Sequence, residues 1–386
     1  MRRAIILVLD GVGIGAAPDA SDYGDEGSNT LGNLAVAAGG LALPHLESAG
    51  LGLIAPILGV KRSANPRGAW GSMQPRSPGK DSTAGHWEIA GVHLTAPFPT
   101  YPNGFPSDVV KEFSRRTGRA VIGNVAASGT SILGRHGREH QRTGAWIVYT
   151  SADSVFQVAA HEQVVPLDEL YDACKAAREM LVAPHNVSRV IARPFLGGPG
   201  SYERTKNRRD FSIAPPAETL LDALGDGGVP RRSVGKVDDL FAGRGITGEH
   251  AANNADGLAA LHKAMSEMSS GLLFANLVDF DQLWGHRNDV AGFYSALRDF
   301  DGALPLLEAD LREDDILFLT ADHGNDPTTP STDHSRELVP LLALGKTVRP
   351  ADLGVRDTFS DLGATVAEWL GSSYRGRGTS FLSRLS

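Results

Sequence analysis

The sequence predicts an α/β fold, a doubly wound core sheet interrupted by an inserted α+β cap domain. Three observations carry this expectation. Short apolar runs alternate with helical patterns at both ends of the chain, three of those runs end in acidic or imidazole side chains, and the texture between residues 95 and 215 differs from what surrounds it. At 386 residues, against roughly 150 per domain, the chain accommodates two domains, each large enough to bury a core.

The first run, "AIILVLD", follows two arginines and briefly imitates a secretion signal, but Asp10 cuts it short and no small-residue cleavage site follows. It reads as a buried strand. "GLLFANLVDFD", ending at Asp281, and "DILFLTADHG", ending near His323, share its design. Runs this short, rich in Leu, Ile, Val and Phe and bounded by turn residues, suit strands covered on both faces of a parallel sheet. Ligand sites of open α/β sheets lie beyond the carboxyl ends of the strands, so the three strand ends are expected to converge. Helical spacing appears from Leu258 to Met268 and again after Asp289, a suitable cap.

The inserted segment opens with "TAPFPTYPNGFP", carries strand-like stretches ("RAVIGNV", "AWIVYTS", "VSRVIARPFLG") and one clear helix ("LDELYDACKAAREML"), and closes on the basic "SYERTKNRRDFSIAPP". The core pattern then resumes, which gives a core over 1–94 and 216–386 with a cap domain over 95–215. The Pro-rich stretches at Pro97 to Pro106 and at Pro215 and Pro216 are the expected hinges.

Composition narrows the function. An apolar fraction of 41%, a charged fraction of 21% and a net charge of -8 describe a globular chain without a nucleic-acid or anionic-membrane partner. Cys174 is the single cysteine, so neither an internal disulfide nor a thiolate metal cluster is available. No segment is long and apolar enough to span a bilayer. We expect a cytoplasmic monomer acting on small molecules.

The chemistry gathers in Asp10, Asp281, His286, Asp322, His323 and His334. Any one of these is an ordinary turn or surface residue, but together at three strand ends they offer carboxylate oxygens and imidazoles that suit Mn, Zn or Fe. The set is large enough for two ions, an arrangement that clamps both oxygens of a phosphoryl displacement. Asp279 lies two residues before Asp281 and is expected to face away. "DGVGIG" is not a dinucleotide fingerprint, because Asp10 occupies the pyrophosphate approach and a poor helix follows; "PGKDST" lacks the upstream glycine of a P-loop. In "KDSTAGHWE", an alcohol facing such a metal site becomes a usable nucleophile, since coordination stabilises its alkoxide. Thr83 is the expected acceptor. Asp81, Ser82 and Thr83 also read as caps of a helix beginning near Ala84, and a helix N-terminus favours phosphate. His86 and Glu88 receive no role.

"LDGVGIG", "KDSTAGHWE", "NLVDFDQLWGHRND" and "TADHGNDPTTPSTDHSRELVP" resemble, in order and over nearly the whole chain, the motifs of the phosphopentomutase family of the alkaline phosphatase superfamily. The resemblance implies an alkaline-phosphatase-like core and exchange of ribose 1-phosphate with ribose 5-phosphate, and of the 2-deoxyribose pair. It implies two Mn2+ ions, one held by Asp10, Thr83, Asp322 and His323 and the other by Asp281, His286 and His334. It further implies a phosphothreonine at Thr83, primed by glucose 1,6-bisphosphate or ribose 1,5-bisphosphate. Arg193, Arg204, Arg208 and Lys236 are then expected to hold the substrate's other phosphate, and Asp153 a ribose hydroxyl. A phosphatase or a cofactor-independent phosphoglycerate mutase is the alternative on the same scaffold. A sulfatase is excluded by the lack of Cys-x-Pro-x-Arg in the nucleophile loop.

Overall fold

A computed structural model describes residues 2–151 and 153–385. Two compact units emerge, Met1–Pro97 with Pro215–Ser386, and Phe98–Ala214.

The first unit is built on an eight-stranded sheet. From edge to edge its strands are Gly248–Glu249, Arg231–Val234, Gly271–Leu277, Arg3–Leu9, Asp315–Thr320, Val339–Leu344, Ala69–Met73 and Asp352–Arg356. Every residue of Arg3–Leu9, Gly271–Leu277 and Asp315–Thr320 is buried, as their unbroken apolar runs require. Arg3–Leu9 pairs in parallel with Gly271–Leu277 on one side and Asp315–Thr320 on the other, so the three strands end side by side. One strand departs from the expected parallel pattern: Val339–Leu344 is antiparallel to both neighbours. The chain leaves Asp315–Thr320, traverses a loop and returns beside it without a crossover helix, and only an antiparallel partner can be reached that way.

Helix ends follow the sequence. Asn254–Glu267 is capped by Asn253, whose side chain accepts from the Asp256 amide, and Val290–Ala309 by Asp289, which accepts from Gly292. Asp279 serves the first of these helices: its carboxylate accepts from the Asn254 amide at 2.7 Å. Asp279 lies beyond the strand end at Leu277, at the start of the turn Phe280–Trp284, and this contact gives it a structural role.

The second unit is a mixed six-stranded sheet with helices on both faces. Trp146 and Val148 face Phe113, Phe156 and the helix Leu167–Met180, whereas Ile147 and Tyr149 face Ile132, Leu133 and Phe195. Alternation along Trp146–Thr150 thus feeds two cores. Two helices here, Ser107–Thr117 and Gly129–Thr143, go beyond the single helix expected. Gly129–Thr143 buries Gly129, Gly137 and His140 beside Ile132 and Leu133. A face made largely of glycine and histidine leaves no apolar period to read.

His140 is locked as a neutral imidazole. Its Nδ1 bonds the Ala145 carbonyl at 2.6 Å, and its Nε2 accepts the His161 amide at 2.8 Å. Burial pushes its pKa down from the ordinary 6.5, and the nearby His161 and Arg119 add to the effect. A histidine lowered in the fold stabilises it above the unfolded pKa and ceases to do so as pH falls through that value. Protection of the Val155–His161 amides against hydrogen exchange should therefore be constant above pH 6.5 and decline below it, and His140→Phe should flatten that decline.

Candidate active site

The three neighbouring strands deliver their acids to one place. Asp10 follows the first directly, Asp322 follows Asp315–Thr320 by two residues, and Asp281 lies in a π-type turn, Phe280–Trp284, after Gly271–Leu277. Close approach needs glycine at two points. A side chain at Gly11, where φ is +78°, would press on Asn325 and Asp281, and one at Gly85 would meet Asp322.

Asp281, His286 and His334 present their donor atoms to a common point, and so do Asp10, Asp281 and His323. Within the first group, Asp281 lies 3.1 Å from His286 Nε2 and 3.3 Å from His334 Nε2. Within the second, His323 Nε2 is 3.3 Å from Asp10. Asp281 belongs to both groups, a sharing the sequence does not display. Asp322 is close by, 3.5 Å from His323, with one oxygen accepting the Gly11 amide and the other facing His86 Nδ1 at 3.2 Å.

The donor set fits metal ions. His286 Nδ1 bonds the Thr332 carbonyl at 2.6 Å and His323 Nδ1 the Gly324 carbonyl at 3.1 Å, which places the proton on Nδ1 and turns each Nε2 lone pair toward the carboxylates. Burial raises the Asp10 carboxyl, and the charges of Asp322 and Asp281 raise it further. Burial also disfavours ionised Asp281, yet the imidazoles of His334 and His286 outweigh it and hold that carboxyl well below the usual range. Burial likewise opposes protonated His323, but Asp322 and Asp10 override it and lift the imidazole well above the ordinary value. These are the marks of buried negative charge that divalent cations neutralise.

The two hydroxyls of the nucleophile loop, Ser82 and the expected Thr83, stand differently toward this cluster. Asp81 caps the helix Ser82–Ile89, its side chain accepting from the Ala84 amide at 3.1 Å. The hydroxyl that reaches the cluster is that of Ser82, 3.1 Å from His323 Nε2 and 3.4 Å from Asp10. Thr83 is buried one residue further on. Successive helical residues differ by about 100° in direction, so the two side chains leave the helix on different bearings. Sequence reasoning chose between them without the phase of the helix, which the cap fixes. His86 and Glu88, left without roles, hold this helix: His86 Nδ1 bonds the Ser82 carbonyl at 2.9 Å, and Glu88 accepts from the amides of Arg76, Ser77 and Phe359 and the hydroxyl of Thr358.

Of the expected substrate residues, Lys236 lies in the first unit with its Nζ 2.7 Å from Gln282 Oε1. Arg193, Arg204 and Arg208 lie in the second unit, where all three bear on Tyr149, a residue the sequence did not single out. Burial and its cationic neighbour Arg208 bring Arg193 down to about 10, and its Nε donates to Gln157 at 3.0 Å. Arg208 makes a two-point pair with Asp210 at 2.7 and 2.6 Å. Asp153 sits half-buried between the strands Trp146–Thr150 and Val155–His161.

A family profile described as Metalloenzyme superfamily matches residues 2–374. Curated relatives named phosphopentomutase align along the chain: one of Desulfitobacterium hafniense is 58% identical over 388 residues, covering all of both chains. Another, of Carboxydothermus hydrogenoformans, is 56% identical over 96% of both. The chain belongs to the phosphopentomutase family. It is an enzyme of the isomerase class. A solved protein of Pyrococcus horikoshii shares the fold at 16% identity, with a TM-score of 0.52 over 97% of this chain and 98% of that one.

Because Asp281 serves both donor groups, its loss should remove the cations' contribution to stability. Chelation should lower the melting temperature of the wild type, since ligand at ~100 times its Kd stabilises by about 2.7 kcal/mol. Asp281→Asn should melt lower and respond little to chelator; a chelator response equal to the wild type's would show that Asp281 is not a shared ligand.

Proposed function

We propose that the chain interconverts ribose 1-phosphate and ribose 5-phosphate, and the corresponding 2-deoxyribose phosphates, through a phosphoenzyme and a bisphosphate intermediate. The observation that carries this reading is the Ser82 hydroxyl held against Asp10 and His323 at the first turn of a capped helix. We assign the phosphoryl group to Ser82 in place of Thr83.

In the phosphorylated enzyme, the free hydroxyl oxygen of the incoming sugar phosphate attacks phosphorus and gives up its proton as the bond from phosphorus to Ser82 Oγ breaks and that oxygen leaves, giving a sugar bisphosphate. The intermediate turns round, and Ser82 Oγ attacks its other phosphate, releasing the isomer and restoring the phosphoserine. A bisphosphate such as glucose 1,6-bisphosphate primes an unphosphorylated enzyme by the same exchange. Asp281, His286 and His334 would hold one Mn2+ and Asp10, Asp281, His323 and Asp322 the other. Such ions supply charge to stabilise the Ser82 alkoxide and the transferred group. The helix N-terminus adds favourable polarity.

We assign the non-transferring phosphate to Arg193 and Arg204, whose positive charges both act on Tyr149, and a ribose hydroxyl to Asp153. Arg208 contributes through the field it shares with Asp210, and Lys236 remains a candidate from the first unit.

With ribose 1-phosphate, Mn2+ and catalytic glucose 1,6-bisphosphate, ribose 5-phosphate should form without matching release of phosphate. Free phosphate as the main product would make the enzyme a phosphatase. Ser82→Ala should lose turnover by ~10^3-fold or more, as removal of a nucleophile does, whereas Thr83→Ala should keep the phosphoenzyme; the reverse ranking would return the assignment to Thr83.

A further inference from the structure

The loop that delivers Ser82 is gripped by one buried cation. Arg336 is only 3% exposed. Its guanidinium donates to the carbonyls of Pro75, Ser77 and Gly79 at 3.1, 2.7 and 2.6 Å. The same group makes a two-point pair with Asp19 at 3.1 and 2.8 Å and lies 4.8 Å from the Tyr23 ring centroid. An ion pair serving the fold alone would need only Asp19. Here three bonds are spent on alternate carbonyls of the segment running into Lys80, Asp81 and Ser82.

The other end of the connection is equally defined. Arg336 lies two residues after His334, and its own amide donates to Asp25 at 2.8 Å. Asp25 also receives Lys80 Nζ at 3.0 Å, and Lys80 is 3.5 Å from Asp333, the residue before His334. The segment 333–336 and the segment 75–82 are therefore tied together through Arg336, Asp25 and Lys80. Tyr23 completes the tie, its hydroxyl accepting the Gly79 amide at 3.2 Å.

We infer that Arg336 is a positioning residue that sets the register of Ser82 against His334 and His323, without touching substrate. The guanidinium suits this task because its planar fork fixes several acceptors at once, which a lysine ammonium cannot do. Displacement of a reacting atom by about 1 Å can cost ~10^2-fold in rate. Loss of Arg336 should thus slow phosphoryl transfer to Ser82 more than it weakens metal or substrate binding.

The inference rests on the phosphoserine reading, and the test separates the two. Manganese-loaded wild type, Arg336→Lys and Arg336→Ala are mixed with glucose 1,6-bisphosphate, and the phosphorylation rate at Ser82 is followed by intact mass. Metal content, KM and hydrogen exchange of the 75–82 amides are measured on the same samples. For Arg336→Lys the expected results are wild-type metal content, KM within about threefold, a tenfold or greater fall in phosphorylation rate, and faster exchange at 75–82. Added guanidinium should restore part of the rate to Arg336→Ala. Unchanged phosphorylation in both variants, or a fall that only tracks lost metal, overturns the inference. If the wild type takes no phosphate at Ser82, the phosphoserine reading fails by itself; unchanged exchange at 75–82 in Arg336→Lys then rejects the positioning role independently.

Discussion

Three carboxylates, Asp10, Asp281 and Asp322, are buried at the ends of adjacent parallel strands, and their mutual repulsion is the constraint on which the rest of the core depends. Charges removed from water are costly unless paired or coordinated. Histidines answer part of that cost: His323 beside Asp10 and Asp322, His286 and His334 beside Asp281. The backbone answers another part, through the Gly11 amide on Asp322 and the Asn325 amide group on Asp281 at 2.6 Å. What remains is negative charge in a site lined by fixed donors, the condition in which divalent cations bind.

The loops around this site are held with matching care. Glu337 is fully buried and accepts from Thr30 through both amide and hydroxyl, from Gly15 and from Ser335, and burial raises it to about 7. It joins the glycine-rich turn after the first strand to the segment carrying His334. Glu88 does the same for the far end of the Ser82 helix, and Arg336 for its approach. Mobility is thereby removed from the parts that position the hydroxyl, which suits a reaction whose catalysis is largely placement and electrostatics.

Much of this was legible in the sequence, for reasons that vary by residue. Asp10, Asp281, Asp322 and His323 could be found because parallel strands buried on both faces write themselves as apolar runs, and whatever ends such a run stands at the ligand edge. His286 and His334 could be listed as donors by residue type, but their grouping around Asp281 came from the family motifs, since each lies on a loop whose path no periodicity encodes. The contact of the Ser82 hydroxyl with Asp10 and His323 was not legible, because adjacent hydroxyls at 82 and 83 differ only in helical phase. Arg336, Glu337 and Tyr149 were invisible for another reason: each acts through contacts with residues distant in the chain, such as Thr30 with Glu337 or Ser77 with Arg336. The inserted unit's helix Gly129–Thr143 hid because glycine and histidine make up much of its buried face.

Asp281 shared between two donor groups, with the Ser82 hydroxyl at one of them, is the centre of the proposed di-metal mechanism. An anomalous-difference map from crystals grown with Mn2+ addresses it directly. Two peaks are expected, both bonded to Asp281, one also to His286 and His334 and the other also to Asp10 and His323, with Ser82 Oγ or its phosphate as the nearest hydroxyl ligand. A single peak, or two peaks that leave Asp281 unliganded or take Thr83 in place of Ser82, would contradict it.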